Sequence, residues 1–289
     1  MRDRRDTHAY DRAVRAVIFS TVLPAVVGLD AAARSVGLEP VAVITPRATR
    51  NAEAEARRDA ILTSSPEGLD ACFAADRSSL ERLTRAYEPE IGLCTGYPWR
   101  LPAEVLAIPR LGVVNTHPSR LPELRGPFPF AWAIRERHDE IWLTVHLMDA
   151  EFDTGPILAQ GSRPMPADTS MEGLRPTLAA LAGELIPRAL ERILAGDHGD
   201  PQTDEGASYA GPFGEDYAAL DPQRSRAELE RQVCAWRWMF ASPLVGPVAE
   251  VDGRSVRVLE ARLEDPGDPA ILRLDAADGP LWLTSVEDL

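Results

Sequence analysis

Short apolar runs that end in polar or glycine residues recur along the first half of the chain. Runs of this length, bounded by such residues, are typical of buried strands. Between the first two runs, apolar residues at helical spacing extend from Pro24 to Val36 and stop at Gly37, which predicts a β-α-β unit. The predicted strands are Ala13–Ser20, Pro40–Thr45, Ile91–Thr95 and Leu111–Val114. This alternation predicts an α/β fold with a doubly wound, mostly parallel sheet.

The pattern continues with a helix at Phe128–Arg137 and a β run at Ile141–Met148. Helical spacing then extends over Met171–Leu194, but glycine and proline interrupt it, so we expect a covering helix in two segments. The stretch Ala195–Gly206 is rich in Gly, Asp and Pro and is the best linker in the chain. We therefore predict a catalytic domain at 1–200 and a second domain at 207–289.

The second domain begins with a helix, Ala227–Met239, capped near Ser225 with Glu228 three residues on. Short strands follow, and Asp252-Gly253 between the first two is a strong hairpin signal. These strands are Val248–Val251, Arg254–Arg262, Ala270–Leu274 and Leu281–Val286. They predict a small, OB-like β-barrel.

Polar side chains gather after the run Leu111–Val114. Asn115 and His117 are two apart on an extended segment, so their side chains point to the same side. A neutral imidazole can take a proton from an amine near neutral pH, and an amide N–H can stabilise an oxyanion. A carboxylate such as Asp153 can orient the imidazole. Together these groups suit acyl transfer to nitrogen.

Each residue alone has a structural explanation. A histidine near a strand end is usually a satisfied core residue, and Asn or Asp before a turn is usually a turn former. The turn Gly96–Trp99 can pair with a flat heterocycle, but on the residues alone we favour packing on the core. Only the combination of Asn115, His117 and Asp153 favours catalysis.

Three motifs in order resemble the folate-dependent formyltransferases, which include glycinamide ribonucleotide, methionyl-tRNA and sugar-nucleotide formyltransferases. The motifs are Asn115-x-His117, the run from Ser119 to Arg125-Gly126, and Asp153-Thr154-Gly155. The resemblance implies a formyltransferase-like Rossmann-type fold and a catalytic trio of Asn115, His117 and Asp153. It also implies 10-formyltetrahydrofolate as the formyl donor, with no metal.

By the same resemblance, the pterin lies between Leu93–Leu101 and the loop Asp149–Gly155. The implied cofactor-binding residues are Leu93, Cys94, Thr95, Gly96, Tyr97, Leu101, Asp149, Glu151 and Gly155. The implied substrate or lid residues are Ser119, Arg120, Arg125 and Gly126. Arg120 departs from the family, which usually has Leu there, and either contacts substrate or is solvated.

Composition sets the remaining expectations. No apolar run approaches the roughly 20 residues of a membrane span, and Met1–Arg15 is charged with no apolar segment behind it. We therefore expect a cytoplasmic protein with no membrane partner. The three cysteines are widely spaced, which indicates neither a disulfide framework nor a zinc site.

A net charge of -14 disfavours broad electrostatic binding to nucleic acid. The stretch Pro46–Asp59 contains four arginines but no glycine, and three acidic residues offset them. We therefore predict a small-molecule amine as acceptor, such as an amino sugar nucleotide or a biosynthetic amino or hydroxylamino compound, and expect no nucleic acid partner. Methionyl-tRNA is the second choice. A formyltetrahydrofolate hydrolase, an inactive folate-binding module and a homodimeric assembly stay open.

Overall fold

The computed structural model describes residues 13–47, 52–239, 244 and 246–289. Residues 1–12 and Arg50, on which parts of the predictions rest, lie outside this set. The chain divides into two compact units. The first takes in the described parts of Met1–His117 with Leu143–Gly161 and Ala179–Gln202, and the second takes in Pro118–Trp142, Ser162–Leu178 and Thr203–Leu289. The domain boundaries given above, 1–200 and 207–289, stay a prediction.

The first unit is built on a seven-stranded sheet. Its strands are β1 Val14–Ser20, β2 Leu38–Pro46, β3 Asp70–Ala74, β4 Ile91–Thr95, β5 Val113–His117, β6 Glu140–Leu147 and β7 Ile157–Pro164, in the order β3-β2-β1-β4-β5-β6-β7. Strands β1 to β5 pair in parallel, whereas β6 is antiparallel to β5. The predicted doubly wound, mostly parallel sheet is therefore confirmed.

The apolar runs form strands because their side chains are buried in one cluster. Val17, Phe19, Ala42 and Ile44 are fully buried in it. Strand order reverses between β1 and β4, and open α/β sheets place their chemistry outside the carboxyl ends of strands near such a point. The polar residues of β5 follow on the next strand of the sheet.

The helices of this unit are α1 Leu23–Ser35, α2 Ala52–Ser64, α3 Arg77–Ala86 and α4 Ala103–Leu106. The long helix α6, Met171–Leu194, runs from the second unit into the first. The expected break in α6 is wrong: it is one helix of 24 residues. Leu181, Leu185, Ala189 and Ile193 form a buried apolar face along it, and burial of that face outweighs the helix-breaking tendency of its glycines and prolines.

Two further differences concern the sheet. The short strand β3 was not predicted, and β5 begins and ends later than the predicted Leu111–Val114. Pairing of β5 with β4 and β6 continues through its polar residues. Asn115 and His117 therefore belong to the strand itself, which fixes their backbone more firmly than a loop would.

The second unit contains α5 Pro129–Arg135, α7 Arg226–Trp236 and a four-stranded antiparallel sheet. The strands are β8 Val248–Val251, β9 Arg254–Arg262, β10 Leu272–Ala276 and β11 Gly279–Asp288, in the order β10-β11-β9-β8. Asp252 and Gly253 have φ of +53° and +72°, as a hairpin turn of the predicted kind requires. Ser225 and Glu228 form the predicted capping box of α7. The curled C-terminal sheet confirms the barrel-like part of the fold class.

Candidate active site

Strand pairing puts Asn115 beside a second histidine. In the antiparallel register Asn115 of β5 lies opposite His146 of β6, and His117 lies opposite Thr144. Directly opposed residues present their side chains on the same face of a sheet. All four polar side chains therefore share one face, where His117 and His146 are buried.

The loop between β6 and β7 brings Asp153 to this face. Its carboxylate Oδ2 lies 3.5 Å from Nδ1 of His117, and its Oδ1 lies 3.4 Å from Nδ2 of Asn115. The backbone of Asp153 has a φ of +56°, a left-handed conformation that the loop must hold in place. Gln202 holds it, because its Nε2 donates to the carbonyl oxygens of Asp153 at 2.9 Å and Gly155 at 2.7 Å. The structure thus brings the predicted trio together.

His146 is a member of this group that sequence reasoning missed. Its Nδ1 lies 2.9 Å from the carbonyl oxygen of Leu147, which can only accept, so Nδ1 carries a hydrogen. Its Nε2 lies 3.1 Å from Nδ2 of Asn115, which can only donate, so Nε2 is the acceptor of this hydrogen bond. This contact fixes which end of the Asn115 amide faces His146 and Asp153.

Gly155 allows the loop to pass close to the carbonyl group of Leu147. A Cβ atom at this position would lie 1.9 Å from the carbonyl oxygen of Leu147, the group that accepts the hydrogen of His146. No side chain fits at that distance. The glycine of the third sequence motif is therefore required by the close approach of two backbone segments.

A sequence signal for His146 exists but is weak. Thr144 and His146 are polar residues two apart within an otherwise apolar run, so they share one face of the strand. Which neighbour that face meets depends on the register between β5 and β6, which the sequence does not specify.

Several predicted cofactor-binding residues belong to the core instead of an open surface. Leu93, Cys94 and Leu101 are buried. Burial, with a further contribution from the charge of Asp153, raises the pKa of Cys94 to about 12, so its thiol stays protonated. At this degree of burial the three residues can support a binding site from beneath but offer almost no surface to a ligand.

The more accessible predicted residues lie in two loops. Gly96 is exposed with a φ of +59°, and Tyr97 beside it is half-buried. Thr95 hydrogen-bonds Thr116 through its hydroxyl. In the other loop, Oδ1 of Asp149 accepts from the backbone N–H of Glu151 at 3.1 Å and from the hydroxyl of Thr154 at 2.7 Å. Asp149 therefore organises its own loop.

Arg100 connects these two loops. Its Nη2 lies 3.5 Å from Oε1 of Glu151, and its guanidinium carbon is 5.4 Å from the ring centroid of Phe152. The ring of Phe152 is half exposed. The two segments predicted to flank a pterin therefore face each other.

The predicted lid residues lie in the second unit. The hydroxyl of Ser119 donates to the carbonyl oxygen of Glu123 at 2.7 Å, and the guanidinium carbon of Arg120 lies 5.0 Å from the ring centroid of Trp142. Arg120 also lines a cleft of about 270 Å³. Its side chain is 58% exposed, so it is available to a ligand.

The end of this loop is tied to a later segment of the same unit. The N–H of Arg125 donates to the carbonyl oxygen of Ser208, and the N–H of Ala210 donates to that of Arg125. Gly126, with a φ of +106°, packs against the ring of Tyr209, which a Cβ atom would approach to 2.6 Å. These hydrogen bonds and this packing hold the end of the loop in a fixed position. Roles in substrate binding for Ser119, Arg120, Arg125 and Gly126 stay predictions.

Comparison with known proteins decides the family. The formyl transferase family matches residues 16–190, which include the whole of the polar face described above. The chain belongs to the formyl transferase family. The resemblance drawn from three motifs is therefore confirmed, and formyl transfer is the activity class.

Curated relatives extend the match. The methionyl-tRNA formyltransferase of Halorhodospira halophila is 35% identical over 263 residues, covering 86% of this chain and 80% of the relative. That of Ralstonia nicotianae is 38% identical over 198 residues, covering 66% of this chain, and the match spans 59% of the relative, less than two thirds of its length. The expectation of no nucleic acid partner is thereby contradicted. That expectation was drawn from the net charge of the whole chain, which gives no information about the charge of a local surface.

Among solved structures, HypX from Aquifex aeolicus in complex with tetrahydrofolic acid has a TM-score of 0.68. It is 17% identical, and the match covers 95% of this chain but 44% of HypX. At this identity the likeness supports the fold. Among the described residues, no helix is long and apolar enough to cross a membrane.

Proposed function

We propose that this protein transfers a formyl group from 10-formyltetrahydrofolate to the amino group of methionyl-tRNA. The acceptor rests on one observation: the Halorhodospira relative matches 86% of the chain, so the likeness extends beyond the region shared by all formyl transferases. The site supports the reaction type, because its trio of amide, imidazole and carboxylate suits acyl transfer to nitrogen.

The donor fits the two loops that Arg100 connects. Bare backbone at Gly96 and the half-exposed ring of Phe152 suit a flat heterocycle between them. Arg100 and Glu151 lie at the exposed end of the same loops, where a charged tail would meet them. When bound there, 10-formyltetrahydrofolate supplies the formyl carbon that the amine attacks.

His117 is the general base that accepts the proton of the attacking amine. Its Nδ1 faces Oδ2 of Asp153, which favours a hydrogen on Nδ1 and leaves Nε2 as the base. The ring takes a proton from the attacking amine, and the carboxylate stabilises the imidazolium that forms. Since both side chains are largely buried, water competes little for this pair.

Asn115 stabilises the negative charge that develops on the formyl oxygen. Of its two N–H contacts, the one to His146 is 3.1 Å and the one to Asp153 is longer, 3.4 Å. The weaker contact is the one that Asn115 gives up to the oxyanion. The stronger contact holds the amide in place, which makes His146 a positioning residue.

The test offers the protein two kinds of acceptor. Purified protein is incubated with 10-formyltetrahydrofolate and either initiator methionyl-tRNA or a panel of amino sugars, amino sugar nucleotides and hydroxylamines, and tetrahydrofolate release is followed. We expect release with methionyl-tRNA and formylmethionine on the recovered tRNA. N-acetylmethionyl-tRNA, whose nitrogen is blocked, is the matched control and should give none.

Other outcomes identify other functions. Turnover on the small amines without formylation of methionyl-tRNA would show the acceptor assignment to be wrong. Equal release with and without any acceptor would indicate a hydrolase. No turnover in any arm, with donor binding intact, would indicate a folate-binding module.

A further inference from the structure

Four arginines of the second unit are grouped around one end of α5 and the start of α7. Arg135 ends α5 and Arg137 follows it, whereas Arg224 precedes α7 and Arg231 lies on it. We call these four residues the arginine cluster. The two helices pack against each other, which explains how side chains almost 90 residues apart in the sequence become neighbours.

One carboxylate serves two members of the cluster. Oε1 of Glu228 lies 3.8 Å from Nη2 of Arg137 and 3.6 Å from Nη2 of Arg224. The other oxygen, Oε2, accepts from the N–H and hydroxyl of Ser225 in the capping box of α7. Glu228 is therefore fully engaged and leaves the two arginines undercompensated.

Arg135 is held by aromatic rings. Its guanidinium carbon is 4.2 Å from the ring centroid of Tyr217, 4.8 Å from that of Trp132 and 5.2 Å from that of Phe213. The nearby acid is Asp216, 3.8 Å away with a side chain that is 75% exposed. Aromatic faces hold a guanidinium without neutralising it, so the charge of Arg135 stays available.

Arg224 and Arg231 are also positioned. Nη1 of Arg224 donates to Oε1 of the fully buried Gln232 at 3.1 Å. The pKa of Arg231 is lowered by burial and then by the positive charge of Arg137, which places these two like charges close together. Among the described residues, two carboxylates lie within 4 Å of these four guanidinium groups, Asp216 and Glu228. The intervening acid Glu136 instead lies 3.2 Å from the ring of His138.

Three arginines on the C-terminal sheet are paired one to one with carboxylates, unlike those of the arginine cluster. Arg254 pairs with Asp288, Arg257 with Glu287 at 3.2 Å, and Arg273 with Asp275 at 3.0 Å. Each of these three cations has its own carboxylate. In a protein with a net charge of -14, the cluster is a local excess of positive charge held in a fixed arrangement.

We propose that the arginine cluster binds the phosphodiester backbone of the RNA acceptor. Guanidinium groups bind phosphate oxygens through two hydrogen bonds at once, and such contacts position an RNA without reading its sequence. This inference rests on the proposed function, since it names the surface that the tRNA contacts. It also explains how an acidic protein binds a polyanion.

The test removes the exposed Arg137 and the half-buried Arg231 and leaves Arg135 and Arg224. In Arg137→Gln/Arg231→Gln the folded core should be unaffected, because Arg135 and Arg224 keep their aromatic and glutamine contacts. The control, Arg254→Gln/Arg257→Gln, removes the same net charge from the sheet. Binding of initiator methionyl-tRNA is measured between 50 mM and 300 mM salt, with kcat and KM for formylation alongside.

The cluster variant should bind roughly tenfold more weakly or worse at low salt, and the slope of log K against log salt should fall in magnitude by about 1.5, for two lost phosphate contacts. KM for methionyl-tRNA should rise while kcat at saturation is kept. The control should match the wild type. Glu228→Gln keeps the capping box but removes a negative charge, so it should strengthen binding.

Three results would overturn the assignment. They are an unchanged slope in the cluster variant, equal weakening in the control, or cluster-dependent binding to phosphatidylglycerol vesicles with no change in tRNA binding. If the wild type formylates no aminoacyl-tRNA yet binds tRNA through the cluster, the acceptor proposal fails and the surface stands. If it formylates methionyl-tRNA and the cluster variant does so equally well at low tRNA concentration, the surface proposal fails alone.

Discussion

Replacement of His146 by leucine tests how the active-site amide is held. His146 is 1% exposed and accepts a hydrogen bond from Asn115 at 3.1 Å, so no water can take its place. Leucine leaves that N–H without an acceptor, while the other N–H of the amide keeps its 3.4 Å contact to Asp153. An unsatisfied buried donor costs about 1–3 kcal/mol. If that cost falls on the transition state, kcat should drop roughly 5- to 150-fold.

The assay separates positioning from packing. Steady-state rates with saturating donor and varied methionyl-tRNA should show a lower kcat with KM within a few-fold of wild type. His146→Gln keeps an acceptor at a similar distance and should recover a large part of the loss. His138→Leu, which changes a histidine of the second unit, should be close to wild type.

Two results would refute this reasoning. Full activity of His146→Leu would show that Asn115 needs no partner to be oriented. Equal losses in the leucine and glutamine variants, accompanied by equal losses in thermal stability, would show that the ring acts through packing alone.

Three further predictions concern Asn115, Gln232 and Cys94. Asn115→Ala should lower kcat by about 10² to 10³, the effect of one lost oxyanion donor, and unaltered turnover at saturation would exclude that role. Gln232→Leu should lower the free energy of unfolding by roughly 2–5 kcal/mol in urea, because Gln232 is fully buried and its Nε2 donates to the carbonyl oxygens of Tyr217 and Ala219. Since burial raises the pKa of Cys94 to about 12, its thiolate is scarce below that pH, and iodoacetamide at pH 8 should label Cys94 only after unfolding.

Residue types and spacing alone were enough to predict much of this protein. The β-α-β alternation predicted a mostly parallel sheet, and the hairpin at Asp252-Gly253 and the capping box at Ser225 were local signals that the structure contains. Asn115 and His117 share a side because strands have a period of two residues, a property of the backbone that needs no partner. Features that depend only on residues close together along the chain can therefore be predicted from the sequence alone.

Tertiary structure decided everything that depends on register and packing. His146 joins the trio because β6 pairs with β5 at one register, and a shift of one residue would turn its side chain to the other face. Gly155 is obligatory because a loop passes close to Leu147, which no local pattern reveals.

Net charge follows from the sequence alone, whereas the positions of the charges depend on the folded structure. The sequence determined the total of -14 and misled us about nucleic acid, since a sum over the chain contains no positions. Packing of α5 against α7 brought Arg137 and Arg224 to a single carboxylate. Electrostatic potential near a surface depends on distances between charges, and those distances exist only once the chain has folded.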